Sequence, residues 1–394
     1  MEIINESGLW AAFVILAKFI TLSKADLFIK QKLDDRKVAG NYRALRPESG
    51  LVDFCSNDYL GFARSAVLAD WIAAEMAMHP HVLNGSAGSR LLAGNTAYAE
   101  ELESEISKYH GFEAGLIYNS GYDANVGLFS SLPQRGDAII TDELVHASVI
   151  DGGRLSYANR YKFKHNDLGS LEEKLKQATG TIYIGIESIY SMDGDMAPLA
   201  GIAILAQQYH AHLVVDEAHA VGVFGKGVVD ELNLQGQVFA KVVTFGKALG
   251  CHGAIVLGDN LLRDYLINFS RSFIYTTAAP FHQLASVKMA YGLLEESQSH
   301  QGSLHHNIRF FKDHYLNTDF GLLPSDSAIQ SILLKSNERA KALSALLQAK
   351  GFDVRPILSP TVAEGTERLR VCIHAYNTEQ EINGLLAIIN NFTA

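Results

Sequence analysis

The sequence predicts an α/β protein, a mostly parallel sheet with helices on both faces, followed by a smaller C-terminal α+β unit. Three observations carry that expectation. Short apolar runs such as Ala114–Tyr118, Ala138–Ile140, Thr181–Ile186, Leu213–Val215 and Val242–Val243 have the length and composition of fully buried strands. Helical segments alternate with them along the chain, the arrangement that builds a two-sided parallel sheet. Several of the runs also stop at a reactive polar group: Leu213–Val215 runs into Asp216, and Val242–Gly246 into Lys247. In an open parallel sheet, that edge is where ligands sit.

The elements follow in order. Asp26 to Arg46 mixes charged and spaced apolar residues and predicts a helical arm, stopped near Pro47 and Gly50. Leu51–Cys55 is a short strand leading into Ser56–Gly61, and Ala66–Met78 a helix. Gly85–Arg90 forms a flexible turn before a helix over Ala97–Tyr109, which opens after Thr96 with acidic residues in its first turn. Strand Ala114–Tyr118 turns at Asn119–Tyr122 into a helix through Leu128. Ala138–Asp142 is a strand, followed by His146 and a helix around Ser148–Leu155. Strand Thr181–Ile186 ends at Glu187, and a helix runs from Pro198 to Tyr209. The strands before Asp216 and Lys247 follow, and then the apolar segment Gly253–Leu257. Beyond a long helix from about Ala279 toward Ser297, the smaller unit comprises strand Ser327–Leu334, helix Asn337–Gln348, strand Leu369–Ile373 and helix Thr378–Ile389. The expected division is an N-terminal leader and arm at 1–50, a large domain at 51–280, and a linking helix with a small domain at 281–394.

At 394 residues, 48% hydrophobic and 19% charged, the chain can bury a substantial core and is not of disordered type. A net charge of -10 argues against a broad nucleic-acid surface. Cys55, Cys251 and Cys372 are far apart and follow no zinc spacing, which fits a reducing, cytoplasmic compartment and implies no metal. The apolar stretch Leu9–Ile20 is short for a membrane span and contains Lys18. Packing against a partner subunit explains it best, with contact at a membrane surface as the alternative.

An amine at Lys247 and a carboxylate at Asp216, presented together at a sheet edge, suit pyridoxal phosphate: the lysine forms a Schiff base and the aspartate pairs with the pyridine nitrogen. For either motif alone, a core strand with an ordinary polar end is the competing reading. Further runs agree in order and spacing: Ser56–Gly61, Gly85–Arg90, Ser120–Asn125, His146–Ser148, Ser191–Asp195, Asp216–His219, Thr244–Lys247, Arg355-Pro356, Pro360–Val362, Gly365-Thr366 and Arg368–Arg370. In these runs the chain resembles the α-oxoamine synthases, fold-type I pyridoxal-phosphate enzymes with an aminotransferase-like fold that join an amino acid to an acyl thioester with loss of CO2. The likeness extends from about residue 33 to the C-terminus.

The resemblance implies roles residue by residue. Lys247 would hold the cofactor and move the α-proton, Asp216 would pair with the ring nitrogen, His219 with the ring's phenolic oxygen, and His146 would stack on the ring. Glu187 and Ser191 would lie near the cofactor oxygen or substrate carbonyl. Gly121, Tyr122 and Thr244 would bind the phosphate, completed by Thr276 and Thr277 from the other subunit of a homodimer with shared active sites. Arg370 and Asn57 would hold the amino acid's carboxylate. Arg43, on the helical arm, would meet the far carboxylate of a pimeloyl chain, and Thr361 would lie near the acyl group. Within the family, the motifs point to the member that condenses L-alanine with pimeloyl-CoA or pimeloyl-acyl-carrier protein in biotin synthesis. The alternative is a relative using glycine or serine with an acetyl, succinyl or palmitoyl donor.

Overall fold

The computed structural model describes residues 22–45, 47 and 50–393. The apolar stretch 9–20, expected to pack on a partner, lies outside them. Seven strands form the main sheet: β2 (Ala114–Tyr118), β3 (Ala138–Asp142), β4 (Asn159–Phe163), β5 (Ile182–Glu187), β6 (His212–Asp216), β7 (Ala240–Thr244) and β8 (Ala254–Gly258), β1 (Val52–Asp53) belonging elsewhere. Their spatial order is β2-β8-β7-β6-β5-β3-β4. Neighbours from β7 through β4 pair in parallel, whereas β8 runs antiparallel to both β7 and β2. Strands β2, β3, β5 and β8 are buried along their whole length, because helices cover both faces. Edge strand β4, Asn-Arg-Tyr-Lys-Phe, buries only Phe163 and carries the charge that discourages further pairing.

The predicted α/β architecture is therefore observed, with the expected smaller α+β region behind it. That region holds a four-stranded antiparallel sheet in the order β12-β13-β10-β9, built from β9 (Gly321–Leu322), β10 (Ile329–Leu333), β12 (Arg355–Ile357) and β13 (Arg368–Cys372). Between its strands lies β11 (Phe352–Asp353), which pairs in parallel with β1. The seam continues past β1. Cys372 N donates to Phe54 O (2.9 Å), and Ala375 N to Tyr59 O (2.8 Å). The N-terminal segment is thus stitched to the C-terminal sheet. A second seam is the loop after β5, where Ser331 Oγ donates to Met192 O (2.7 Å) and Ser325 Oγ to Gly194 O (2.8 Å).

The N-terminal arm corrects one expectation. Its helix spans Lys24–Val38, opened by a Ser23–Asp26 capping box, and does not reach Arg43. Gly40, at φ +66°, turns the chain out of the helix where no side chain favours that conformation. Arg43 consequently lies outside any helix or strand and is exposed. Among the described residues, no helix is long and apolar enough to cross a membrane.

A buried charge cluster lies behind the carboxyl edge of the main sheet. Lys241 of β7 is fully buried and ion-pairs with Glu217 (2.7 Å) and Asp230, and it also donates to Lys226 O (2.8 Å). Glu217 accepts from Val229 N (2.9 Å), and Gly227, at φ +114°, leaves room for its carboxylate where a Cβ would collide. Each buried charge therefore has partners, as the cost of an unpaired one demands.

Candidate active site

The carboxyl ends of β5, β6 and β7 lie side by side, with Glu187 in register with Asp216 and Asp216 with Val242. Just beyond them is a cavity of about 240 Å³ lined by Asn57, Ser120, Gly121, Tyr122, Asn125, His146, Glu187, Asp216, Ala218, Thr244, Gly246, Lys247, His252 and Gly253. Lys247 follows β7 in a tight loop closed by Cys251 N donating to Phe245 O (2.7 Å) and Gly250 N to Lys247 O (2.9 Å). The loop turns the lysine back over the end of β6.

Asp216 is held from two sides. Its Oδ1 accepts from Ala218 N (2.9 Å), and its Oδ2 accepts from Asn125 Nδ2 (2.7 Å). Asn125 also donates to Ser148 Oγ (3.0 Å). His146 caps the helix Ala147–Leu155, its Nδ1 accepting from Ser148 N (3.2 Å) and lying 2.7 Å from Ser148 Oγ. Because Nδ1 already accepts a backbone N–H, the serine hydroxyl donates to it too, and any ring proton sits on Nε2. Burial lowers the His146 pKa, against the pull of Asp216, so the ring is a neutral flat wall at neutral pH.

Burial pulls Lys247 down to about 8, although Asp216 and Glu187 favour its charged form. Glu187 is pushed up to about 8 by burial and by the neighbouring Asp216 carboxylate. Perturbed groups gathered in one cleft mark a reactive site. Lys247 Nζ lies 2.7 Å from His219 Nε2, and Tyr59 OH lies 2.7 Å from His219 Nδ1. Arg370 reaches in from β13. Its Nε donates to Ser191 O (2.7 Å), and its Nη2 to Asn57 Oδ1 (3.0 Å).

One end of the cavity is the start of helix Gly121–Ser131. Ser120 caps it by accepting from Asp123 N, so the first-turn N–H groups of Gly121 and Tyr122 have no partner within the helix. A Cβ on Gly121 would come within 2.5 Å of Thr244 Cγ2, so glycine is what lets the helix end approach the β7 hydroxyl. The donor set fits pyridoxal phosphate: an amine and an acid across the cavity, and anion-binding N–H groups at one end. Two buried cavity oxygens, Glu187 Oε1 and Asn125 Oδ1, also have no protein partner.

Not every expected residue meets here. Thr276 and Thr277 line a different, narrow cavity with Arg90, where Asn119 Nδ2 donates to Thr276 Oγ1 (2.8 Å). Thr361 is exposed on the turn after β12, and Arg43 is exposed on the arm; neither lines the Lys247 cavity. Conversely, Asn125, Ser148, Tyr59 and His252 take part without having been singled out. Asn125, Ser148 and Tyr59 stand inside the motif runs, but a run does not say which of its side chains turn inward.

Comparison with known proteins agrees with this geometry. The sequence signature of aminotransferase class I and II matches residues 49–389. The 8-amino-7-oxononanoate synthase of Emericella nidulans is 44% identical over 86% of this chain and 89% of its own. Among solved structures, serine palmitoyltransferase from S. paucimobilis with a bound PLP–myriocin aldimine superposes with a TM-score of 0.84 at 26% identity, covering 94% of this chain and 97% of that one. The 8-amino-7-oxononanoate synthase from Francisella tularensis superposes at 0.75 and 28% identity, covering 87% and 98%. The chain belongs to the class I and II aminotransferase family and, within it, to the α-oxoamine synthases, fold-type I enzymes whose cofactor is pyridoxal phosphate.

Proposed function

We propose that the protein condenses L-alanine with a pimeloyl thioester, carried by CoA or acyl-carrier protein, to give 8-amino-7-oxononanoate, CO2 and the free thiol. The observation that carries the reaction class is the placement of Lys247 and Asp216 on one cavity, with Arg370 linked to its wall through Asn57. The substrate pair is supported by the motif runs and by the 44% identity to the fungal synthase.

Bound pyridoxal phosphate would supply a conjugated ring able to accept electrons from the substrate's α-carbon. The protein's residues do the rest. Asp216, fixed by Asn125 and Ala218 N, holds the proton on the ring nitrogen. His146, on the cavity wall, would stack on one face of the ring. His219, and more weakly Glu187 and Ser191, orient the oxygens around the reacting carbon. Gly121, Tyr122 and Thr244 hold the phosphate. Lys247 Nζ would hold the cofactor and, as a tethered amine that burial lowers to about 8, would take the α-proton at neutral pH. Arg370 grips the amino acid's carboxylate with its planar fork, Asn57 beside it.

Two expected results follow from these roles. A neutral amine is the nucleophilic form, so capture of pyridoxal phosphate by the cofactor-stripped enzyme, trapped with borohydride, should quicken about fivefold from pH 7 to 8 and level off above about pH 9. A rate still climbing to pH 10 would mark an ordinary lysine. Arg370→Lys keeps the charge but loses the fork. It should raise KM for the amino acid by about tenfold to a hundredfold, read by steady-state kinetics, with KM for the thioester nearly unchanged.

A homodimer with shared sites belongs to the same proposal. It accounts for Thr276 and Thr277 facing away from their own chain's cavity, as donors to the partner's phosphate. It also gives a use to helix Lys24–Val38, which buries no residue in the single chain and exposes Leu27, Phe28 and Ile29. Arg43 and Thr361 are assigned to the acyl substrate on the resemblance alone.

A second reading is a serine- or glycine-using relative with a longer or shorter acyl donor, favoured by the higher TM-score of the serine palmitoyltransferase. Thiol release measured for alanine, glycine and serine, each with pimeloyl, acetyl and palmitoyl thioesters, separates the two. Preference for any pair other than alanine with pimeloyl would end the specific assignment.

A further inference from the structure

We propose that Tyr59 is a positioning residue for Lys247, acting by fixing which nitrogen of His219 carries the proton; this rests on Lys247 being the reactive lysine. Tyr59 is fully buried and lies on the Ser56–Gly61 loop, away from the strand ends that carry the other groups. Its hydroxyl is the middle link of a continuous chain from Arg370 to Lys247.

One arrangement of protons makes every contact in that chain a hydrogen bond. A guanidinium only donates, so the Asn57 atom 3.0 Å from Arg370 Nη2 is the amide oxygen. Tyr59 OH lies 3.0 Å from the same oxygen, and only the phenol can supply the proton between them. That proton is therefore committed to Asn57. The 2.7 Å contact between the phenolic oxygen and His219 Nδ1 then requires the imidazole to be the donor. Burial, with Lys247 and Arg370 nearby, keeps His219 neutral, so Nε2 is left bare. Lys247 Nζ, 2.7 Å from Nε2, donates to it.

The direction of this chain matters for the amine. With Nδ1–H set by Tyr59, one N–H of Lys247 as a free amine is drawn back toward His219, and the rest of its valence faces the cavity. With the opposite tautomer the Lys247 lone pair would accept from Nε2–H and be turned away from the cavity, where it is needed to take the α-proton. Because a histidine ring nitrogen takes its role from the bond made by the other one, removing a single remote hydroxyl is enough to release the preference. The Tyr59 ring itself is independently packed, 6.1 Å from the His219 ring and stacked 6.5 Å from His374, so Tyr59→Phe keeps the packing and deletes the donor–acceptor alone.

The test is nitrogen NMR of the full-length chain labelled with 15N-histidine, as the cofactor-bound enzyme and again after cofactor removal, with His219→Gln used to assign the signal. The expected result is a proton on Nδ1 of His219 in both states. In Tyr59→Phe at least half of the ring population should carry it on Nε2, and kcat/KM should fall about tenfold with the melting curve little changed. A bare Nδ1 in the unmutated protein would overturn the proposal, even if Tyr59→Phe does not fold. So would an Nδ1–H that persists unchanged in Tyr59→Phe. The NMR readout involves no acyl substrate, so it stands or falls separately from the assignment of alanine and pimeloyl.

Discussion

Lys247→Ala is expected to lower turnover by about three orders of magnitude or more while leaving the circular dichroism spectrum of the folded chain intact. Two functions would be lost together: the covalent hold on the cofactor and the tethered base beside the α-carbon. The absorbance at about 420 nm that borohydride removes should vanish from the variant as well. Stability should suffer little, because the lysine is already disfavoured in its charged form by burial, and its removal leaves His219 Nε2 beside a cavity that water can enter. Thiol release at a near-normal rate in Lys247→Ala would contradict the scheme outright.

The second large effect falls on stability. Lys241→Met removes the cation that the buried Glu217 and the partly buried Asp230 share behind the sheet edge. Breaking a buried pair leaves an uncompensated charge, and the expected loss is about 3–5 kcal/mol, visible as a lowered urea midpoint at neutral pH. Replacing all three members with apolar residues should recover most of it, since the cost lies in stranding a charge and not in losing an attraction. Glu217 directly follows Asp216, so the single variant should also release cofactor more readily on dialysis. A loss below about 1 kcal/mol would mean that the cluster is solvated or that its carboxylates are neutral.

The parts of the fold that were legible from sequence are those with undivided signals. Ala66–Met78, Ala97–Tyr109, Ala114–Tyr118 and Ala138–Asp142 have the bounds expected, because apolar content, caps and breakers agree there. Strand β4 and the helix Leu168–Gln177 went unassigned: an edge strand reading Asn-Arg-Tyr-Lys-Phe shows neither an apolar run nor clean alternation. The helix Gln298–His314, rich in histidine and glutamine, hid in the same way. Strand direction was silent as well. Nothing in Ala254–Gly258 says that β8 runs against its neighbours, since buried parallel and antiparallel strands in a covered sheet have the same composition.

Within the candidate site, the groups at strand ends were legible because an apolar run that stops at a charge identifies its own terminus. Asn125, one turn into a helix, and Tyr59, in a loop, offered no such marker. The arm shows the reverse failure. Spaced apolar residues suggested helix as far as Arg46, but Gly40 was enough to end it shortly after Val38.

The ladder between β1 and β11, and the bonds that continue it to Tyr59, make residues 52–60 ride with the C-terminal sheet although they enter the chain some three hundred residues before it. Asn57 and Arg370 are therefore mounted on one rigid frame, and the jaw that receives a carboxylate is assembled before any ligand arrives. Should that frame tilt relative to the main sheet, the jaw would keep its shape and its reach to His219 would change. Grip and proton placement would then be set by the same displacement.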